Sequence, residues 1–340
     1  MSFQLGPRRG VFIDIGQENR QRPLATDDLA YFEQFDLMYR SLCAMLYNYV
    51  PMSGHPGGSI SSGRLVAGIV FDTLDYDPSH PDREDADIVS YGAGHKTLGL
   101  YAMWALRNEV MRLGAPELLP EDEKHQLRLE DLLGFRRNPL AKTPLFLKFR
   151  TKALDGHPTP ATPFVKLATG ASGVGVATSL GLALGARDYY GPNAPRVHLV
   201  EGEGGLTAGC HHETMNSAYG LGLDNLFFLV DWNDFGIDDQ PISSVVHGTP
   251  RDWFAPHGWH VHEAKDGSDW KDVTWALLDM VAGQNPPHRP GMTFGRTRKG
   301  RGYHVFDNKS HGVPHKLNSE PFWLCRQEFA DKYGVEWAGK

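Results

Sequence analysis

Apolar residues recur at near-helical spacing early in the chain: Leu29, Phe32, Leu42, Cys43 and Leu46 predict a helix over 28–49. Gly54 and Pro56 punctuate its end, and a second helix is predicted over 59–74. Further on the pattern changes to short apolar runs. Segments 88–91, 197–201, 226–232, 259–263 and 292–296 read as buried strands, with helical stretches near 173–189, 213–219 and 270–282. Buried strands alternating with helices predict an α/β fold: a doubly wound, mostly parallel sheet covered on both faces. Residues 1–25 lack any period and read as an arm, 26–315 as the folded domain, and 316–340 as a terminal helix and tail. The stretch 107–152 is polar and punctuated by proline, an excursion rather than a sheet element.

Composition narrows the class. With 340 residues, 41% of them hydrophobic and 22% charged, the chain can bury one large core or two modest ones. A formal net charge of -7 provides no basic field for nucleic acid. No apolar run approaches the roughly 20 residues that span a bilayer, and the first residues lack the apolar stretch of a signal peptide. Cys43, Cys210 and Cys325 are too scattered for a disulfide framework or a CxxC zinc site; they read as structural thiols in a reducing compartment, the cytoplasm.

The sharpest chemical signal lies in VHLVEGEGGLTAG, which sets Gly202, Glu203 and Gly204 at the carboxyl end of the strand predicted over 197–201. Open α/β sheets bind ligands at that end. One helix and one strand later, FFLVDWN brings Asn233 back to the same edge. A carboxylate and an amide oxygen from neighbouring strand tips, with a main-chain carbonyl, would leave a Mg²⁺ ion room for phosphate oxygens and water. The flanking glycines let a diphosphate approach the backbone. By itself, this pattern fits a Gly-rich turn followed by an ordinary turn asparagine equally well.

Further motifs carry a resemblance. SGHPGGSISSGRL (53–65), YGAGHKTLGLYA (91–102), LDGHP (154–158), LATGASGVGVATSLGLALG (167–185) and KGRGY…SHG (299–312) occur, with the GEG and DWN segments, in the order of their counterparts in transketolases. Over about residues 40–315 the chain resembles the N-terminal, diphosphate-gripping half of that family. The resemblance implies a thiamine diphosphate-binding fold and transfer of a two-carbon ketol unit from a ketose, such as a sugar phosphate, to an aldose. It implies Mg²⁺ (or Ca²⁺) on Glu203, Asn233 and the main-chain oxygen of Phe235. Cofactor contacts would come from His95, Gly170, Ala171, Ser172, Gly202, Glu203, Gly204, Asn233 and Ile237. His55, His95, His157 and His311 would line the substrate channel, where imidazole can bond a hydroxyl or relay a proton near neutral pH. His211 and His212 read as structural.

Two departures stand out. The family has aspartate where this chain has Glu203; the extra methylene moves the carboxylate by roughly an ångström, which a backbone shift or a larger ion such as Ca²⁺ could absorb. Ala208 stands where the family carries an acid thought to couple the two cofactor sites of a dimer. In the family, the glutamate that activates the cofactor lies on a pyrimidine-binding domain following this one, as do most sugar-phosphate-binding arginines. The expectation is therefore a separate pyrimidine-domain polypeptide and an α2β2 assembly. Alternatives are another donor on the same scaffold (a sulfonated sugar or a 2-oxo acid) or a non-catalytic assembly paralogue. A nicotinamide site is disfavoured, since no GxGxxG opens a strand-turn-helix with an acid about 20 residues on.

Overall fold

The computed structural model describes residues 26–49, 55–137, 144–236, 240–282, 285–303, 307–308 and 318–336. Its sheet is parallel throughout, in the order β1-β2-β3-β5-β4: β1 Ile88–Tyr91, β2 Val197–Gly202, β3 Leu226–Trp232, β4 His260–Ala264 and β5 Gly291–Arg296. The helices are α1 Thr26–Tyr49, α2 Pro56–Ser61, α3 Gly63–Gly68, α4 Thr97–Gly114, α5 Pro144–Phe149, α6 Val174–Tyr190, α7 Gly209–Gly220, α8 Pro250–Phe254, α9 Trp270–Ala282 and α10 Glu320–Tyr333.

Both faces of the sheet are covered because successive strand residues point to opposite sides. Val89, Tyr91, Val200, Phe227 and Leu229 join one core with Cys43 of α1, Leu65 of α3, Trp104 of α4 and Leu277 of α9. Val197, Leu199, Phe228, Val230, Met292 and Phe294 join a second with Val176 of α6, Met215 of α7 and Phe254 of α8. Strands buried on both faces explain the continuous apolar runs in the sequence. The sheet is doubly wound, as expected.

Some boundaries differ, each for a physical reason. The helix expected over 59–74 starts earlier, with Pro56 in its first turn, and breaks at Ser62, whose hydroxyl donates to the Gly58 carbonyl at 2.8 Å. It resumes as α3 and ends in a π-helical turn, Ile69–Thr73. Trp259 does not begin a strand: it turns into the second core, where its Nε1 donates to the Met215 carbonyl at 3.0 Å. The excursion begins only after α4 ends at Gly114; beyond it lie short 3-10 turns and α5, outside the sheet. Gly54 and the arm over 1–25 lie outside the described residues. Cys43 and Cys325 are buried and Cys210 half-buried, all as free thiols. Among the described residues no helix is long and apolar enough to cross a membrane.

Register sets up the site. Gly202 lies opposite Asp231, and Trp232 opposite Arg296, so β2, β3 and β5 end at one edge.

Candidate active site at the carboxyl edge of the sheet

Glu203 and Asn233 follow directly on the tips of β2 and β3, and both are buried. Their oxygens converge. The Phe235 N–H donates to Glu203 Oε1 and to Asn233 Oδ1, each at 3.1 Å. The other end of the Asn233 amide is fixed as well, its Nδ2 donating to Asp231 Oδ2 at 3.2 Å. That oxygen also accepts from Ser61 Oγ at 2.6 Å and Lys96 Nζ at 2.7 Å, while Asp231 Oδ1 accepts from Thr297 Oγ1. A carboxylate inside a buried strand is tolerable only with such a full set of donors.

Two buried lysines flank this pair, and consecutive glycines of α2 make room for them. A Cβ on Gly58 would lie 2.8 Å from Lys96 Cε, and one on Gly57 would lie 3.0 Å from Lys299 Cγ. Lys96 Nζ rests against Gly202, whose hypothetical Cβ would be 3.0 Å away. Lys299 Nζ donates to the carbonyls of Phe235 at 2.9 Å and Gly236 at 2.7 Å. Burial works against the charge on Lys96, but Asp231, Glu203 and Glu201 outweigh it and hold its pKa above the ordinary lysine value. For Lys299 burial prevails: despite Glu203 nearby, its pKa falls to about 8. Burial also pushes Glu203 up to about 8, against the pull of Lys96, and Glu201 up to about 7.

Above the cluster opens a cavity of about 550 Å³. His55 and His95 line it, their rings edge to face with centroids 5.3 Å apart. Burial, with Lys299 and Arg136 nearby, lowers the His55 pKa to about 4, so the ring is neutral at pH 7. Gly170, Ala171 and Ser172 line the cavity just ahead of α6. Gly170 has φ +150°, and a Cβ there would come within 2.7 Å of His157 Nδ1, so only glycine serves. Gly204 is open, with no atom of the described residues within 4 Å of where its Cβ would stand.

The expected residues divide accordingly. Glu203, Asn233, Phe235, His55, His95, Gly170, Ala171, Ser172, Gly202 and Gly204 share one cavity. His157 is exposed and packs against Gly170 rather than lining the cavity. Ile237 and His311 lie outside the described residues. His211 is buried against Phe254, ring centroids 5.0 Å apart. Sequence reasoning missed Lys96, Asp231, Lys299 and Ser61. The signals were an acid in the apolar run FFLVDWN and lysines in two motifs already noted, but only folding shows that they meet.

The oxygen set suits a divalent ion: a carboxylate, an amide and a carbonyl are hard donors. Two ammonium groups beside glycine-lined backbone suit a diphosphate.

Comparisons with known proteins bear on the family and the fold. The family described as "Transketolase, thiamine diphosphate binding domain" matches residues 125–330. The chain is similar to a transketolase of Halalkalibacterium halodurans, 28% identical over 295 residues that cover 82% of this chain and 39% of the relative. It is similar to transketolase 2 of Escherichia coli, 29% identical over 287 residues, 81% of this chain and 38% of the relative. It thus spans well under half the length of these relatives. Among solved structures, transketolase from Leishmania mexicana superimposes with a TM-score of 0.68 at 26% identity, covering 87% of this chain and 40% of that one. A Campylobacter jejuni transketolase, TM-score 0.68 at 23% identity over 87% of this chain and 42% of that one, shares the fold.

Proposed function

Since the chain belongs to the transketolase thiamine diphosphate-binding domain family, we propose that it is the cofactor-anchoring part of an enzyme that moves a two-carbon ketol unit from a ketose phosphate to an aldose. A separate polypeptide supplies the pyrimidine-binding domain, giving an α2β2 assembly with sites between subunits. What carries this reading is the meeting of Glu203 and Asn233 oxygens on one N–H, at the rim of a cavity flanked by two buried ammonium groups.

Thiamine diphosphate, when bound, supplies the carbanion-stabilising centre for breaking and making the carbon–carbon bond. The chain's own residues bind and orient. Glu203, Asn233 and the Phe235 carbonyl would hold Mg²⁺ or Ca²⁺. Lys299, held among the described residues by two carbonyls, and the main chain of Gly170–Ser172 and Gly202–Gly204 would hold the diphosphate. His55, neutral at pH 7, can accept a hydrogen bond or a proton from a sugar hydroxyl, and His95 faces it. The buried thiols of Cys43 and Cys325 suit the cytoplasm.

Calorimetry with thiamine diphosphate and Mg²⁺ tests the cofactor claim. Glu203→Ala and Asn233→Ala should each weaken binding by about a hundredfold with little change in melting temperature. Absence of binding by the wild type, alone and with a pyrimidine-domain partner, would sink the reading. Ketol transfer is then assayed with xylulose 5-phosphate, a sulfonated ketose and pyruvate, with and without the partner. Ordinary turnover by this chain alone would refute the two-polypeptide site.

A further inference from the structure

The 3-10 turn Leu129–Gly134 runs into Phe135 and Arg136, and Arg136 adopts φ +53°, a left-handed backbone that costs a non-glycine residue about 1 kcal/mol or more. The surrounding frame imposes it. Phe135 bridges Leu154 in parallel, the Arg136 N–H donates to the Leu154 carbonyl at 2.8 Å, and the Leu154 N–H to the Gly134 carbonyl at 3.3 Å. The buried Phe135 ring packs 6.1 Å from that of Tyr101. The Arg136 side chain is therefore aimed by a rigid support.

It is aimed at the DGHP segment. A Cβ on Gly156 would lie 2.9 Å from Arg136 Cζ and 3.0 Å from Nη2, so the guanidinium lies against bare backbone that any larger residue would push away. On its other side it stands 5.6 Å from the centroid of the Phe135 ring. The next residue, His157, backs the Gly170 wall of the cavity, and the positive charge of Arg136 reaches His55 on the cavity lining. Arg136 is exposed and forms no ion pair among the described residues. A seated guanidinium with no ion pair among the described residues, set against the segment that backs the Gly170 wall of the cavity, suits a tetrahedral oxyanion, which its planar fork can bind through two oxygens.

From this placement we infer that Arg136 reads the anionic end of the sugar, a phosphate or a sulfonate; the inference rests on the ketol-transfer reading above. It puts one anion-reading arginine on this chain, whereas the family resemblance implies such residues mainly on the partner.

The test measures binding of ribose 5-phosphate, ribose and a 6-sulfonated ketose to the full chain, by calorimetry or ligand-observed NMR. The wild type should prefer the phosphorylated over the plain sugar by about tenfold, as a charge-assisted forked contact implies. Arg136→Met should reduce that preference to near unity. Gly156→Ala, which leaves the arginine but displaces it, should do the same, and Arg136→Lys should retain part of it. The sulfonated ketose shows which oxyanion is preferred; loss of either preference in Arg136→Met supports the inference. No preference in the wild type, or one that survives Arg136→Met in a natively melting protein, overturns it. The two readings can fail separately. A chain that binds thiamine diphosphate but ignores Arg136→Met keeps its family role and loses this one. An Arg136-dependent anion preference in a chain that never binds the cofactor does the reverse.

Discussion

Two buried charge clusters lie on either side of the segment after β5, and they solve opposite problems. In the first, Asp36 of α1 accepts from Arg40 at 3.1 Å, Arg64 at 3.2 Å and Arg301 at 2.6 Å. Glu33 and Glu328 then meet Arg64 and Arg40 at 2.7 and 3.7 Å. Every charge has an opposite, and the cluster ties α1, α3, α10 and the KGRGY segment together. In the second, Lys96 pairs with Asp231 at 2.7 Å, but among the described residues Lys299 is held only by two carbonyls, and both lysines face a cavity. One short segment serves both, sending Lys299 to the cavity and Arg301 to α1. A closed cluster fastens the fold; an open one has charge to offer a ligand, the role proposed for it above. Burial alone does not separate them, whereas the matching of charges does.

The largest effect should come from breaking the closed cluster. Asp36→Ala leaves three guanidinium groups without their shared carboxylate and should cost about 3–5 kcal/mol in urea unfolding, with thiamine diphosphate affinity changed less than about twofold. The pH dependence follows. Burial pushes the Asp36 carboxyl up, but Arg301, Arg64 and Arg40 together hold it below the ordinary range. A depressed folded pKa means the contribution is present above the unfolded value of about 4 and is lost as pH falls through the lower folded one. Acid unfolding of Asp36→Ala should lack that component.

A smaller effect tests the open cluster. Lys96→Met should cost about 2–3 kcal/mol, because Asp231 loses its ammonium, and should weaken thiamine diphosphate binding about tenfold. Adding Asp231→Asn should restore melting but not affinity. Recovery of both would place this cluster in the same class as the first.

The smallest effect at neutral pH, growing only in acid, concerns a buried ionisable group with no counter-charge among the described residues. Neither ring nitrogen of His211 has a hydrogen-bond partner among the described residues. Burial, with His212 and His257 nearby, lowers its pKa from 6.5 to about 3. The unfolded chain takes up a proton below pH 6.5 that the folded one refuses, so stability should fall by about 1.4 kcal/mol per pH unit from there toward pH 3. His211→Phe should remove that slope in pH-dependent denaturant melts.

Much of this was legible along the chain. Strands such as Leu226–Trp232 announce themselves because burial on both faces demands an unbroken apolar run. The GEG turn and Asn233 are local too: each follows a strand, and parallel strands end at one edge. The same local logic misplaced Trp259, which a neighbouring helix captures, and ran a single helix through Ser62. His157 was grouped with its fellow histidines by motif; its close packing against Gly170 is a contact that motif order does not record.

What the sequence by itself determined was the kind of sheet, its carboxyl edge and the acid and amide that follow the strands there, since these depend on periodicity and short-range order. Only the tertiary structure decided which charges meet. Lys96 with Asp231, Lys299 with the Phe235 carbonyl, Asp36 with Arg301 and Arg136 on Gly156 are brought together by folding. No periodicity records a contact between residues far apart in the chain, so whether a buried charge is a fastening or a site is settled in three dimensions.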